Sequence, residues 1–473
     1  MTAAPPPGAP PLAQALLVAA VAWQQFLGGR TLEVALAEAV VAVRPAHPRA
    51  VAAAKDIVYG ATRQKRLLET LVERLTTRPP SGAVAALLTV ALSQLLAERH
   101  APHVVVDQAV ECAKRAASTV AASGFINAVL RRALRERDAL LAPLAGDDAV
   151  QASLPDWWLQ KLREAHPRAW REIVAVQRLA APLVLRVDEQ QLAVEDYLAR
   201  LGDAGIAATR VGRAAVWLHT GRDVHAIPGF DAGLVSVQDA GAQLAASWLA
   251  PSAQGRVLDA CAAPGGKTLH LAQRSAAQHI DALDVEAVRV QRIAENLRRA
   301  AISDERVRLR EADAARPDVW WDGEPYDAIL LDAPCTASGI VRRHPDVPWL
   351  RRSADVAQLA RAQERLLQAL WPLLRPAGRL LYVVCSLFPE EGEQQARRFL
   401  QRNDDARAVD LPGGAPFVQL LPAHSAHGEP WPADREVPLV HDGFFYALFE
   451  KRASGTAAGA AANAPLSAPP DSH

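Results

Sequence analysis

Two cysteines fifty residues apart, Cys335 and Cys385, each follow an apolar run that predicts a buried strand. Cys335 comes after Asp332-Ala-Pro, which ends the run 327–331, and Cys385 directly follows the run 380–384. The carboxyl ends of strands in an open α/β sheet form the rim where ligands bind. Buried cysteines commonly serve as small apolar side chains. Two of them beside an aspartate on one rim instead favour covalent catalysis, because a thiolate is a strong nucleophile.

A glycine-containing loop lies between another predicted strand and the helix after it. It reads Cys261, Ala262, Ala263, Pro264, Gly265, Gly266 and Lys267. A phosphate-binding P-loop requires glycine where Cys261 stands, so hydrolysis of a nucleoside triphosphate is disfavoured. Glycine at the end of a first strand still lets the backbone approach a ligand closely. A plain strand–helix turn is the alternative interpretation of the loop.

Acidic residues follow two further predicted strands. Asp284 stands nineteen residues after Gly265, a position that suits the hydroxyls of a ribose. Asp313 follows the strand 307–311 and is a candidate to face an adenine. Either aspartate would also serve as a helix cap. Asp332, next to the first cysteine motif, is a candidate to bind the amidine-like edge of a base.

The elements that must position these residues occupy the C-terminal half of the 473-residue chain, which is long enough for two or three domains. Helices and strands alternate over 236–452, which predicts a doubly wound, mostly parallel α/β sheet. The predicted strands are 256–258, 279–283, 307–311, 327–331, 379–384 and 444–449.

Two other domains are predicted upstream. Apolar residues recur at three- and four-residue spacing over 12–142, which indicates an all-helical domain. Residues 143–235 combine helices at 156–166, 170–180 and 194–204 with strands at 183–187 and 215–218, as a small α+β linker domain. The segments 1–11 and 453–473 are rich in Ala and Pro and are predicted to be disordered.

Composition excludes several classes of protein. The four cysteines show no C-x-x-C spacing, so neither a zinc site nor a disulfide framework is expected. The N-terminus has prolines and no basic n-region, so no signal peptide is expected, and no apolar run is long enough to span a bilayer. We therefore expect a soluble cytoplasmic protein that uses no metal and no membrane.

Basic residues are the candidates for contact with nucleic acid. The net charge is zero, but residues 1–140 carry 16 basic against 10 acidic side chains. The candidates are the run Arg63-Gln-Lys65-Arg66 and the pairs Arg131-Arg132 and Arg342-Arg343. An ordinary solvated helix face would look the same in sequence.

Taken together, these motifs resemble the S-adenosylmethionine-dependent RNA (cytosine-C5) methyltransferases. The resemblance covers about 230–452 and rests on the loop 261–267, Asp332-Ala-Pro-Cys335, the segment 343–349, and Cys385-Ser386 with the acidic run 390–393. Segments 107–114 and 124–132 resemble the NusB-like RNA-binding domain. Bacterial 16S ribosomal RNA methyltransferases of the RsmB (Sun/Fmu) type carry that domain fused to a Rossmann-like methyltransferase core.

The resemblance implies a role for each candidate residue. Cys385 would attack C6 of the cytosine, and Cys335 would assist product release as general base or proton relay. Asp332 would hold N3 and the exocyclic amine, supported by Lys267. S-adenosyl-L-methionine would lie along 261–267 and Asp332, with Asp284 on its ribose and Asp313 on its adenine amine. The implied partner is 16S ribosomal RNA, bound by a monomer.

Alternatives remain at this stage. DNA cytosine-C5 methyltransferases use the cysteine of their Pro-Cys motif, which would exchange the roles of Cys335 and Cys385. Val384 stands where the family usually has threonine, so a hydrogen bond near Cys385 is expected to be lost. The substrate would alternatively be transfer RNA, or the chain a non-catalytic NusB-like RNA-binding or assembly factor.

Overall fold

A computed structural model of the chain describes residues 12–43, 47–425, 431–432 and 435–452. The predicted disorder of 1–11 and 453–473 falls outside the described residues. Within them, no helix is both long and apolar enough to cross a membrane.

The N-terminal part is all-helical. Its helices are α1 (Leu12–Leu27), α2 (Leu32–Ala42), α3 (Pro48–Arg63), α4 (Lys65–Leu75), α5 (Gly82–Ala97), α6 (Pro102–Arg115), α7 (Ser123–Arg135), α8 (Arg137–Leu141) and α9 (Asp148–Ala152). Proline begins α3 and α6, where its missing N–H costs nothing. α1 lies at the centre and contacts α2, α3, α5 and α6. α5 is apolar on nearly all sides and is buried accordingly.

A small antiparallel sheet with its helices follows. The elements are α10 (Asp156–Ala165), α11 (Trp170–Arg178), β1 (Leu183–Val187), α12 (Val194–Asp203), β2 (Ala208–Arg210), β3 (Ala215–Leu218) and β4 (Val235–Val237), with the sheet order β2-β3-β1-β4. The sequence predicted β1 and β3 but not β2 and β4. Each missed strand has only three residues, too few for a periodic pattern.

The C-terminal part is built on a second, larger sheet. Its elements are α13 (Leu244–Leu249), β5 (Gln254–Ala260), α14 (Gly266–Arg274), β6 (Ala276–Asp284), α15 (Ala287–Arg299), β7 (Val307–Glu311), α16 (Pro317–Trp320), β8 (Tyr326–Asp332), α17 (Val347–Leu350), α18 (Ser353–Leu370), β9 (Leu374–Val384), α19 (Glu393–Arg402), β10 (Ala406–Val409), β11 (Phe417–Leu420) and β12 (Phe444–Lys451).

The strand order of this sheet is β10-β12-β9-β8-β5-β6-β7, with β11 also paired to β12. The five strands from β7 to β9 run parallel, and β12 is antiparallel to β9. The predicted mostly parallel α/β core is therefore confirmed, and all six predicted strands are present. β10 and β11 were missed, because each has four residues and is only partly buried, which gives no continuous apolar run.

The helical part docks on the α/β core through the segment that follows Cys335. The side chains of Trp349 and Leu350 pack against the helical core. The Asp346 carboxylate accepts a hydrogen bond from the Leu32 N–H at 2.9 Å, at the start of α2. The Lys65 ammonium lies 4.2 Å from the centre of the Trp349 ring, a cation–π contact. The segment after one catalytic candidate is thus also the junction between the two parts.

Candidate active site

The two cysteines meet at the rim of the large sheet. β8 and β9 are adjacent and parallel, with Asp332 opposite Val383 at their carboxyl ends. The chain turns away after each strand, and the two thiols face each other with Sγ of Cys335 3.3 Å from Sγ of Cys385. The structure therefore brings together residues fifty positions apart in sequence.

A buried ion pair stands beside the thiols. The Lys267 ammonium, in the first turn of α14, lies 2.5 Å from the Asp332 carboxylate at the end of β8. Burial would lower the pKa of Lys267, but Asp332 and, more weakly, Cys385 raise it above its usual range. Lys267 is therefore a fixed positive charge close enough to Cys385 to interact with it electrostatically.

The two thiols differ in their surroundings. Cys335 is buried, with 8% of its surface exposed, whereas Cys385 is half-buried. The hydrogen bond with Cys385, and then burial, raise the pKa of Cys335 well above that of a free thiol. Cys335 is thus suited to hold a proton and donate it toward Cys385.

The glycine loop is held in place by contacts with α15 and with the end of β6. Gly265 has φ of 95°, and a Cβ there would come within 2.9 Å of Ile293 Cγ2 on α15. The Asp284 carboxylate accepts a hydrogen bond from the Ala263 N–H at 3.1 Å and pairs with Arg289 at 3.2 Å. Glycine at 265 is therefore required by helix packing, a reason that differs from the predicted close approach of a ligand.

A cavity of about 400 Å³ joins the loop to the thiols. Its volume falls within the ordinary range for a small-molecule site, roughly 300–1,000 Å³. The predicted residues that line it are Cys261, Ala263, Asp284, Asp313, Asp332, Cys335 and Cys385. The other predicted loop residues, Ala262, Pro264, Gly265, Gly266 and Lys267, are not part of this lining. Asp313 also accepts a hydrogen bond from the Ala315 N–H at 2.9 Å, so it caps a turn as well as facing the cavity.

A larger cavity, of about 720 Å³, lies elsewhere, between the small sheet and α14. It is lined by polar side chains such as Arg213, His270 and Arg274, and by none of the predicted site residues. This larger cavity contains no thiol, so the cysteine chemistry expected from the sequence would have to take place in the smaller one.

Sequence reasoning gave no role to two buried carboxylates near the site. Asp259, in β5, accepts a hydrogen bond from Thr268 Oγ1 at 2.6 Å, and burial raises its pKa to about 7. Glu391 bonds to Thr336 and Ser386, the residues that follow the two cysteines. Their positions in sequence could have drawn attention to them, because Asp259 lies just before the glycine loop and Glu391 lies in the acidic run 390–393. Neither position, however, indicates that the carboxylate is buried.

The structure does not support Arg342 as a candidate for contact with nucleic acid. Arg342 is fully buried, and its guanidinium is paired with the buried carboxylate of Asp442. Arg343 is paired with Asp442 as well and bonds to Asp239 at 2.9 Å. Both aspartates come from distant segments of the chain, so no local sequence pattern indicates that they neutralise these arginines.

The basic run 63–66 is likewise engaged within the molecule. Arg63 donates a hydrogen bond to the Arg342 carbonyl at 2.7 Å. Lys65 lies 2.5 Å from Glu69, and Arg66 lies 2.5 Å from Asp156. The run therefore helps to dock the helical part rather than forming an unengaged basic surface. Of the pair 131–132, Arg132 bonds to the Leu75 carbonyl at 3.1 Å, and Arg131 remains exposed.

Arg342→Ala is expected to lower the free energy of unfolding by about 3–5 kcal/mol, because it removes one of the two arginines that neutralise the buried Asp442 carboxylate and leaves a cavity where the buried Arg342 side chain packed. Urea denaturation measures this change. Arg131→Ala, an exposed arginine, is the control and should change stability by less than about 0.5 kcal/mol. Equal stabilities of the two variants would contradict a structural role for Arg342.

Three segments of this chain match known protein families. Residues 246–450 match the family described as 16S rRNA methyltransferase RsmB/F, 154–225 match its ferredoxin-like domain, and 12–135 match the NusB family. The ribosomal RNA small subunit methyltransferase B of Vibrio cholerae is 40% identical over 429 residues, 90% of this chain and 94% of that protein.

Two solved structures are similar in fold. The crystal structure titled PH0851 has a TM-score of 0.73 at 22% identity and covers 95% of this chain and 100% of its own. A methyltransferase homolog protein from Pyrococcus horikoshii has a TM-score of 0.50 at 27% identity and covers 63% of this chain and 100% of its own.

Proposed function

The chain belongs to the RsmB/F family of 16S rRNA methyltransferases, enzymes that use S-adenosylmethionine, and from that premise we propose that it methylates C5 of a cytidine in 16S ribosomal RNA through a covalent adduct with Cys385. The observation that carries the proposal is the pair of thiols 3.3 Å apart at the mouth of the 400 Å³ cavity. A methyltransferase acting on a nitrogen or a hydroxyl would need no second thiol there.

The lining of the cavity fits S-adenosylmethionine, which supplies the methyl group when bound. Asp284 and Asp313 stand at the ends of successive strands and place carboxylates for ribose hydroxyls and an adenine amine. Cys261 and Ala263 present the loop to the same cavity. The thiols follow β8 and β9, which lie across β5 from β6 and β7 in the sheet, so a ligand held by these aspartates and extending along the cavity would end beside the thiols.

Cys385 is the nucleophile in this proposal. Its sulfur is more exposed than that of Cys335 and lies near the Lys267 ammonium. The thiolate adds to C6 of the cytosine, and the electrons of the C5–C6 double bond move onto C5 and the ring, which makes C5 able to attack a methyl group. N3 takes up a proton from solvent as the adduct forms and loses it again on release. Asp332 accepts hydrogen bonds from this N3–H and from the exocyclic amine, which stabilises the adduct.

Cys335 acts in the release step. C5 loses its proton, those electrons re-form the C5–C6 double bond, and the C6–S bond breaks with its electrons on Cys385. The Cys335 thiol hydrogen-bonds Cys385, so it passes its proton to the departing Cys385 sulfur, and the Cys335 sulfur takes up the proton that C5 loses.

The substrate base must reach this rim. A paired base would have to leave its stack at a cost of a few kcal/mol, less if it is already unpaired. The NusB-family match at 12–135 supports contact of the helical part with RNA.

We propose that the chain is divided into a helical domain (12–142), a linker domain (143–235) and a methyltransferase domain (236–452).

Bisulfite mapping of ribosomal and transfer RNA from a deletion strain tests the substrate. Loss of one 5-methylcytidine in 16S RNA is the expected result. Loss in transfer RNA alone would instead identify a transfer RNA enzyme, and no loss in either would favour a non-catalytic RNA-binding factor.

Asp284→Ala is expected to weaken binding of S-adenosylmethionine by roughly 10- to 100-fold, because it removes a charged hydrogen-bond acceptor from both the cofactor and the Ala263 N–H. Calorimetry of the purified protein measures the affinity. Asp318→Ala, an exposed aspartate in α16, is the matched control. Unchanged affinity in Asp284→Ala would remove this residue from the cofactor site.

A further inference from the structure

The carboxylate of Glu391 connects the two segments that carry the thiols. Glu391 is fully buried in the turn between β9 and α19. Its Oε1 accepts a hydrogen bond from the Thr336 N–H at 2.9 Å, and its Oε2 accepts one from Ser386 Oγ at 2.6 Å. Thr336 follows Cys335 and Ser386 follows Cys385, so one carboxylate holds the next residue after each thiol.

Further hydrogen bonds fix this carboxylate. Thr336 Oγ1 donates to Oε2 at 2.5 Å, and Gln363 Nε2, from α18, donates to Oε1 at 3.2 Å. The same Gln363 amide donates to the Pro334 carbonyl at 2.9 Å, just before Cys335. Tyr382 Oη donates to the Glu391 carbonyl at 2.6 Å. Burial raises the pKa of Glu391, while the donors from Ser386 and Thr336 act to lower it.

Ser338 adds a second connection between the two segments. Its hydroxyl lies 3.0 Å from Ser386 Oγ and accepts a hydrogen bond from the Leu387 N–H at 2.7 Å. These contacts begin where the sheet no longer fixes the geometry, because the Ala333 N–H to Val383 carbonyl bond lies before both cysteines. Beyond that point the Cys385 carbonyl accepts a hydrogen bond from the Gly339 N–H at 2.9 Å, and the Cys335 carbonyl accepts one from Arg351 at 3.3 Å. The side-chain network around Glu391 supplies the other links that fix the positions of the two thiols.

We propose that Glu391 is a positioning residue that sets the separation and direction of the Cys335 and Cys385 thiols for attack and release. It touches neither thiol and acts through Thr336 and Ser386. The inference rests on the proposed two-cysteine chemistry. Its expected effect is large, because displacing a reacting group by about 1 Å can lower a rate by about 100-fold.

Glu391→Gln is the informative variant, since the amide keeps the volume and one acceptor but replaces the second acceptor with a donor. Glu393→Gln is the matched control, because that side chain is about half exposed and pairs only across one turn of α19 with Arg397. We expect Glu391→Gln to lower kcat by about 10- to 100-fold, with the KM for RNA and the affinity for S-adenosylmethionine unchanged. Adduct formation on RNA containing 5-fluorocytidine should slow by a similar factor.

Glu391→Ala tests the same inference by removing the carboxylate altogether. It should be less active than Glu391→Gln, and it would leave several buried donors unpaired, so its unfolding must be measured alongside. A kcat of Glu391→Gln equal to that of the Glu393→Gln control would overturn the inference. So would a parallel loss of cofactor affinity and kcat in Glu391→Gln, which a general loosening of the domain produces. A wild-type protein that forms no adduct would instead refute the proposed function itself.

Discussion

Cys385→Ala is expected to abolish methyl transfer, lowering the rate by at least about 1,000-fold, because it removes the nucleophile that makes C5 reactive. The same variant should form no covalent complex with RNA containing 5-fluorocytidine. Transfer of a labelled methyl group and denaturing gel electrophoresis measure the two effects. Affinity for S-adenosylmethionine should stay close to that of the wild type, since the sulfur is only one part of the cavity wall.

The assignment to Cys385 follows from the unequal environments of the two thiols. Cys335 is buried and keeps its proton, whereas Cys385 is half-buried and lies near the Lys267 ammonium. Cys112→Ala, which removes a buried thiol from α6, is the control and should remain active. If Cys385→Ala still formed the adduct and Cys335→Ala did not, the roles of the two cysteines would be exchanged.

Cys335→Ala is expected to accumulate a covalent complex between the protein and ordinary cytidine-containing RNA. Attack by Cys385 would proceed, but its departure would lack the neighbouring thiol that bonds to it at 3.3 Å. The complex should survive denaturing electrophoresis and migrate more slowly than the free protein. Turnover should fall while the fraction of trapped protein rises, a combination that a simple loss of stability does not produce.

The double variant Cys335→Ala/Cys385→Ala is the control for this trapping, and it should form no complex. Normal turnover by Cys335→Ala would refute the release role. Trapping that persists in the double variant would show that the covalent bond is made by another residue.

Val384 occupies the position before Cys385 at which the resembled family usually has threonine. It stands in β9 directly before Cys385, and its side chain is fully buried in the core. A threonine there would bring a hydroxyl into this apolar layer. In this chain the hydroxyls of Thr336, Ser338 and Ser386 form the hydrogen-bonded cluster next to the cysteines.

The basic residues show where sequence reasoning failed. Arg342 and Arg343 adjoin the cysteine motif and have the composition of a phosphate contact, but Asp239 and Asp442 neutralise them. These partners lie about a hundred residues away on either side. Pairing at such separations depends on the fold, so no local pattern announces it.

The sequence by itself determined six of the strands of the large sheet, the glycine loop, the two cysteines and the acidic strand ends. Long apolar runs must be buried, and in a parallel sheet the residues after them share one rim. The local sequence also fixed the helical character of 12–142 through its apolar periodicity.

Only the tertiary structure decided which of these residues meet and in what state. In the folded protein the two thiols lie 3.3 Å apart, Lys267 forms an ion pair with Asp332, and Glu391 is buried between the two cysteine segments. The basic run 63–66 contacts other parts of the molecule, and Gly265 packs closely against α15. Burial and electrostatic pairing arise between segments distant in the chain, so they appear only once the sheet and its helices have assembled.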